Sequence, residues 1–285
     1  MKHLDLGSLQ GRVALFGGPY SNLQATQALI ARARAMGAAH LICTGDVVAY
    51  CADPVATVAA IRAAGVHVVA GNCEKQLAAG APDCGCGFDA GSACDLLSAG
   101  WFGHANARVP AHDRDWMGGL PDILSFTSAG LRHGVIHGGM TDVARFIWPT
   151  SPEAEFAREW AAVEDGIGAV DRIVAGHCGI AFRRDLARRN RDSGPAPRRW
   201  INAGVIGMPA HDARRQTRFV LLDGAQATIH DLDYDASAAA AAMRDAGLTQ
   251  GYDRALLSGL WPSEDVLPVS LRRSAGSRAG AVASG

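Results

Sequence analysis

Leu41-Ile42-Cys43-Thr44-Gly45-Asp46 and Val66-His67-Val68-Val69-Ala70-Gly71-Asn72 are built alike: a short apolar run stopped by glycine and then a carboxylate or amide side chain. Such runs read as buried strands, which need roughly 4–8 residues where a helix needs ~10 or more. Between them Asp53-Pro54 opens a helix through about Ala63, because proline fits the first helical turn and aspartate can cap it. Upstream, Val13 to Phe16 is a further strand, broken at Gly17-Gly18-Pro19. Ser21 can cap the helix that follows, from about Asn22 to Met36, with Leu23, Ala28, Leu29 and Ile30 on its apolar side. Strand, polar turn and helix repeat, which is the pattern of an α/β protein.

Downstream the punctuation changes. Residues 73–120 are less regular, with helices expected at Ala93 to Phe102 and Asp113 to Met117, and read as a Cys-bearing lid or side layer. Strands resume at Ile123 to Phe126, Val135 to His137 and Ile173 to Val174. Ile180 to Asp185 and Arg198 to Ile201 read as a hairpin around an Arg-rich, solvated loop at 188–197. Arg218 to Leu222 pairs with Ala227 to Asp231 across Asp223-Gly224, and helices follow at Ala236 to Ala246 and Gly251 to Leu260. One domain is expected over 1–265 and a disordered tail over 266–285, which loses all periodicity from Ser274.

Composition removes several function classes. The 285 residues are 48% hydrophobic and 19% charged, enough for a sizeable core. A formal charge of -1 gives no global field for nucleic acid or an anionic membrane, so the expected partner is a small-molecule substrate. Only Lys2 and Lys75 are lysines, and with arginine so abundant we discount arginine counts. No apolar stretch approaches the ~20 residues of a bilayer span, and Met1 to Arg12 lacks the apolar core of a secretory signal. A cytoplasmic location is expected. Seven cysteines is an odd number, which favours thiols or metal ligands over a disulfide framework.

The polar residues at strand ends carry the chemistry. Gly45-Asp46, Gly71-Asn72-Cys73-Glu74, His137-Gly138, Gly176-His177-Cys178 and Asn202-Ala203-Gly204 would converge at one sheet edge. A carboxylate, an amide oxygen and two imidazoles suit Mn, Fe or Zn. In this order the motifs resemble those of the calcineurin-like metallophosphoesterase superfamily, most closely its bacterial phosphodiesterase-like branch, from about Arg12 to Asp223. The resemblance implies two mixed β-sheets packed face to face with helices outside. It implies metal ligation by Asp46, Asn72, His137 and His177, the set resembling the second of the family's two metal sites.

The departures bear on the chemistry. Where the family motif reads D-x-H, alignment on Ser21-Asn22-Leu23 places Gly18 and Tyr20. Gly179 stands at the second His of the G-H-x-H motif, and Cys73 replaces the catalytic His of G-N-H. The first metal site would thus have lost its private ligands, leaving about one metal per chain. Tyr20 either fills the vacated volume, the reading we favour, or acts as a phenolate ligand or a hydrogen-bond donor to substrate. Cys73 could protonate a leaving group or, like Cys178, ligate a borderline metal. Cys43 reads as a small buried hydrophobe. Cys73, Cys84, Cys86 and Cys94 could wrap a zinc, but lack the paired C-x-x-C hooks, so reduced thiols are the expectation. Three functions stay open: a one-metal hydrolase of phosphomonoesters or phosphodiesters, a thiolate-modified site acting on a non-phosphate substrate, and a non-catalytic binding or regulatory protein.

Overall fold

Alternation along β2 (Arg12–Phe16) divides its side chains between two layers. Val13 and Leu15 enter one buried cluster and Ala14 and Phe16 another, as the period of two requires. The computed structural model describes residues 1–86, 91–187 and 198–273, so the loop at 188–197 and the stretch from Ser274 lie outside the described residues. One mixed sheet joins β2 to β3 (Ala38–Cys43) and β4 (His67–Val68) in parallel, and on its other side to β10 (Thr217–Asp223) and β11 (Gln226–Leu232), antiparallel. The other orders β1 (His3–Ser8), β5 (Ile123–Ser128), β6 (Leu131–Val135), β7 (Arg172–Ala175), β9 (Arg198–Asn202) and β8 (Phe182–Leu186).

The two sheets pack face to face. Val13, Leu15 and Val220 from one meet Leu124, Phe126, Val174 and Ile201 from the other in an apolar layer. Helices α1 (Leu23–Ala35), α2 (Pro54–Ala63), α3 (Asn72–Ala79), α4 (Ala93–Arg108), α5 (Ala111–Gly119), α7 (Ala236–Asp245) and α8 (Tyr252–Ser258) share the outer cluster of the five-stranded sheet. On the six-stranded side α6 (Glu153–Ile167) inserts Phe156, Trp160 and Val163. None of the described helices is long and apolar enough to cross a membrane.

Several sequence expectations are corrected. Asn22, not Ser21, caps α1 by accepting from the Ala25 N–H at 3.0 Å, while Ser21 Oγ accepts from Ala49 N. Residues 73–120 are largely helical, with Cys73 in the first turn of α3. The strand expected to end at His137 ends at Val135 and starts at Leu131. The tail does not start at 266: Leu267 is 1% exposed in the cluster with Phe156 and Trp200, and Arg273 pairs with Glu264 at 3.0 Å.

His133 sits inside β6, stacked on Phe126 with ring centroids 4.5 Å apart, and its Nε2 is buried without a partner. Burial, reinforced by the Arg172 charge, holds its pKa down at about 3 against an ordinary 6.5. Because the folded value is the lower one, the unfolded chain takes up the proton first. Stability is therefore lost as pH falls from 6.5 toward 3, at up to ~1.4 kcal/mol per pH unit. His133→Phe should shrink the stability lost between pH 7 and pH 5 by about 2 kcal/mol, read from urea midpoints. Identical pH dependence in both proteins would refute this.

Candidate metal centre

β2, β3 and β4 run parallel, as do β6, β7 and β9, so the loops after these strands leave at common edges where the two sheets meet. Close approach there demands glycine. Gly45 has φ +100, and a Cβ on it would lie 2.7 Å from Gly71 N and 2.9 Å from His137 Nδ1. A Cβ on Gly71 would collide with the Asp46 carboxylate. Asp46 (φ 55) and His177 (φ 61) are themselves held in the left-handed region, which costs non-glycine residues energy and clusters at functional sites.

Four side chains meet at these loops. His137 Nε2 lies 3.2 Å from Asp46 Oδ2, 3.1 Å from Asn72 Oδ1 and 2.9 Å from His177 Nδ1. His177 Nδ1 is 3.8 Å from Asp46 Oδ2. The other nitrogen of His137 is 2.6 Å from the Thr44 carbonyl oxygen, which can only accept, so Nδ1 carries the hydrogen and Nε2 presents its lone pair in the neutral ring. The Asn72 amide donates through Nδ2 to the Cys84 carbonyl at 2.8 Å, which turns Oδ1 toward His137. A carboxylate oxygen, an amide oxygen and imidazole nitrogens thus converge in a buried space, a set of atoms that suits a cation.

A proton can partly serve in that capacity. Burial favours neutral groups, yet Asp46 raises the His137 pKa above its usual value. Against the same burial, His137 and His177 hold Asp46 well below the usual carboxylate range. His177 goes the other way, pushed down by burial and by the His137 charge, and its Nε2 has no partner. Asp46, His137 and His177 offer ligand atoms within 4.8 Å of one another, and Asn72 Oδ1 completes the set, so the donor chemistry fits a divalent transition metal.

The other expected site residues fall around this group. Cys178 turns away: its thiol is 3.6 Å from the Ile180 carbonyl and accepts from Asn202 Nδ2 at 3.2 Å, and burial pushes its pKa up to about 12. Cys73 is closer, with its backbone N–H 3.3 Å from Asp46 Oδ1. Burial and the neighbouring Asp46 and Glu74 carboxylates push its thiol well above the usual range. The four-cysteine zinc is not assembled, because Cys84 and Cys86 are joined to each other and the Cys94 thiol bonds at Ser263 and Val266.

Tyr20 (φ 54) is buried beside Tyr50, ring centroids 4.7 Å apart, and burial raises its pKa well above the usual value, so it stays a phenol. A Cβ on Gly18 would lie 2.6 Å from Tyr20 Cζ and Val205 Cγ1, and one on Gly179 would lie 2.9 Å from Trp261 Cζ2. Rings therefore fill the space around Gly18 and Gly179. The cavity left between Tyr20, Phe146, His177, Gly179 and Trp261 holds about 60 Å³, room for a few waters.

Sequence reasoning missed two groups. Trp261 lies far from Gly179 in the chain and carried no local signal. Glu74 belonged to a quoted motif but was given no role. It is wholly buried and accepts from Asp46 N and Val47 N at 2.8 Å and from Gly71 N at 2.9 Å, tying the Asp46 loop to the start of α3.

Residues 13–226 match the calcineurin-like phosphoesterase superfamily domain, and the chain belongs to that superfamily. No curated protein matches it in sequence. Among solved structures it is similar to a metallophosphoesterase from Sphaerobacter thermophilus, at 18% identity and TM-score 0.67, covering 88% of this chain and 100% of that one. It is also similar to a hypothetical protein from Pyrococcus horikoshii OT3, at 15% identity and TM-score 0.67, covering 87% and 98%. At such identities the likeness concerns the fold.

Glu74→Gln should test the tie between the loops. It replaces one acceptor oxygen by a donor facing backbone N–H groups, so about 2–4 kcal/mol of stability and roughly tenfold in metal affinity should be lost. Urea unfolding and Mn titration measure both, and wild-type values in each would refute the role.

Proposed function

We propose that the chain is a hydrolase of phosphate esters, monoester or diester, that works with a single divalent cation held by Asp46, Asn72, His137 and His177. The observation that supports it is the convergence of acceptor atoms on His137 Nε2, with ring tautomer and amide orientation set by Thr44 and Cys84. What such a cation supplies when bound is Lewis acidity, polarising a phosphoryl oxygen and acidifying water. The chain's own residues do the rest. Glu74 fixes the Asp46 loop. Tyr20, Phe146 and Trp261 exclude bulk water from the face beside His177. To Cys73, whose thiol burial keeps protonated in the metal-free protein, we assign the proton given to the departing alkoxide as the phosphorus–oxygen bond breaks. The substrate is a small molecule met in the cytoplasm.

One observation favours a second reading, a non-catalytic binding protein: the rings at Gly18 and Gly179 leave little room for substrate. Metal content and turnover separate the two.

Elemental analysis should find about one metal per chain, reduced severalfold by Asp46→Ala or His177→Ala. Two equivalents unaffected by either substitution would refute the one-cation reading. Hydrolysis of bis(p-nitrophenyl) phosphate should accompany the metal, and metal without turnover would favour the binding protein.

Cys73→Ser should lower turnover at least tenfold, because a serine hydroxyl is the weaker acid. Cys43→Ser, at a thiol facing the Gly45 carbonyl inside the core, should change stability alone. Equal small effects on kcat from both would return Cys73 to packing.

A further inference from the structure

The turn Asp83-Cys84-Gly85-Cys86 touches the metal centre without belonging to it. Gly85 adopts φ +58, and its N–H donates to Asp83 Oδ1 at 2.9 Å, which brings the flanking cysteines to a Cα separation of 5.3 Å. That separation lies within the range disulfides require, and the two are bonded. The same turn holds Asn72. The amide Nδ2 gives one hydrogen to the Cys84 carbonyl at 2.8 Å and faces Cys86 Sγ at 3.3 Å, while Oδ1 of that rigid planar group faces His137 Nε2 at 3.1 Å. The Cys84 carbonyl and Cys86 Sγ thus both bear on the carboxamide that faces the centre.

We propose that Cys84 and Cys86 are a site of reversible oxidation whose state sets the Asn72 carboxamide, and through it the hold of the centre on its cation. This rests on the metal reading above. Bonded sulfurs stand about 2.05 Å apart, whereas unbonded heavy atoms settle at about 3.5–4.0 Å. Reduction drives the two sulfurs apart, and with only Gly85 between the cysteines that separation bears on the turn that carries the Cys84 carbonyl. Oxidation by a low-molecular-weight disulfide balances. One cysteine thiolate attacks it and expels a thiol, then the second cysteine displaces the other half. The pair loses two electrons and two protons, and the reagent becomes two thiols. The oxidised pair, with Asn72 fixed, binds the cation more tightly. Outer partners of metal ligands carry roughly 10–100-fold in affinity, which sets the scale.

The experiment uses the full chain, treated with reduced dithiothreitol or with glutathione disulfide and then freed of reagent. Alkylation and mass spectrometry on the peptide carrying both cysteines establish the state of the pair, and calorimetry gives the affinity for Mn, which has little taste for thiolates. The expected result is an affinity at least tenfold higher in the oxidised protein. A Cys84→Ser/Cys86→Ser variant should be insensitive to the treatment and match the reduced protein. The wild-type comparison stands alone should that variant not fold. A pair that never oxidises, or equal Mn affinity in two verified states, overturns the proposal and leaves the metal reading intact. Absence of Mn binding in both states overturns both. An extra equivalent of zinc in the reduced protein would make the pair ligands and also overturn the proposal.

Discussion

Three backbone N–H groups from two loops end on one buried carboxylate, that of Glu74, and the geometry of the centre follows from that meeting. Asp46 and Val47 belong to the loop after β3, Gly71 to the loop after β4, and all three donate to it within 2.9 Å. Hydrogen bonds from three backbone N–H groups to one carboxyl hold the Asp46 loop in its left-handed turn. It also places a second carboxylate beside Asp46. Burial and the Asp46 charge push the Glu74 pKa up, and that pressure is relieved by positive charge on the other side of Asp46. The tie and the appetite for a cation have the same origin.

What was legible in the sequence were positions where backbones crowd. Gly45 and Gly71 cannot bear a side chain, and each stands beside a polar residue that a strand end has no structural need for. That is why Asp46, Asn72, His137 and His177 stood out at their turns, although only the order of the motifs and the family resemblance grouped them as one ligand set. Cys178 looked equivalent to its neighbours but is not, since His177 at φ 61 turns the chain and sends the next side chain toward Ile180 and Asn202.

Other features were silent for different reasons. β1 is exposed along almost its whole length, so it lacks the alternation that betrays a half-buried strand, and its pairing with β5 is made across more than a hundred residues. α3 begins with polar residues because its first turn serves the centre rather than a core face. α6 did carry helical spacing at Phe156, Trp160, Val163 and Ile167, a signal strong enough to have been used. Trp261 could be linked to Gly179 only by the fold.

The rings around Gly18 and Gly179 give the single-cation reading a physical logic. Space at the junction of the two sheets cannot simply be left as a hole, because a buried void forfeits contacts and a polar void admits water. Tyr20, Val205 and Trp261 close that space with apolar surface, and the Trp261 indole is held there by its N–H donating to the Pro209 carbonyl at 2.7 Å. Rings there lower the local polarity beside His177, and lower polarity strengthens the interactions that Asp46 and the two imidazoles would make with a cation. On that reading a single cation need not be held weakly, but its hold depends on the correct placement of each acceptor, and so on the loops that Glu74, Thr44 and Cys84 keep in register.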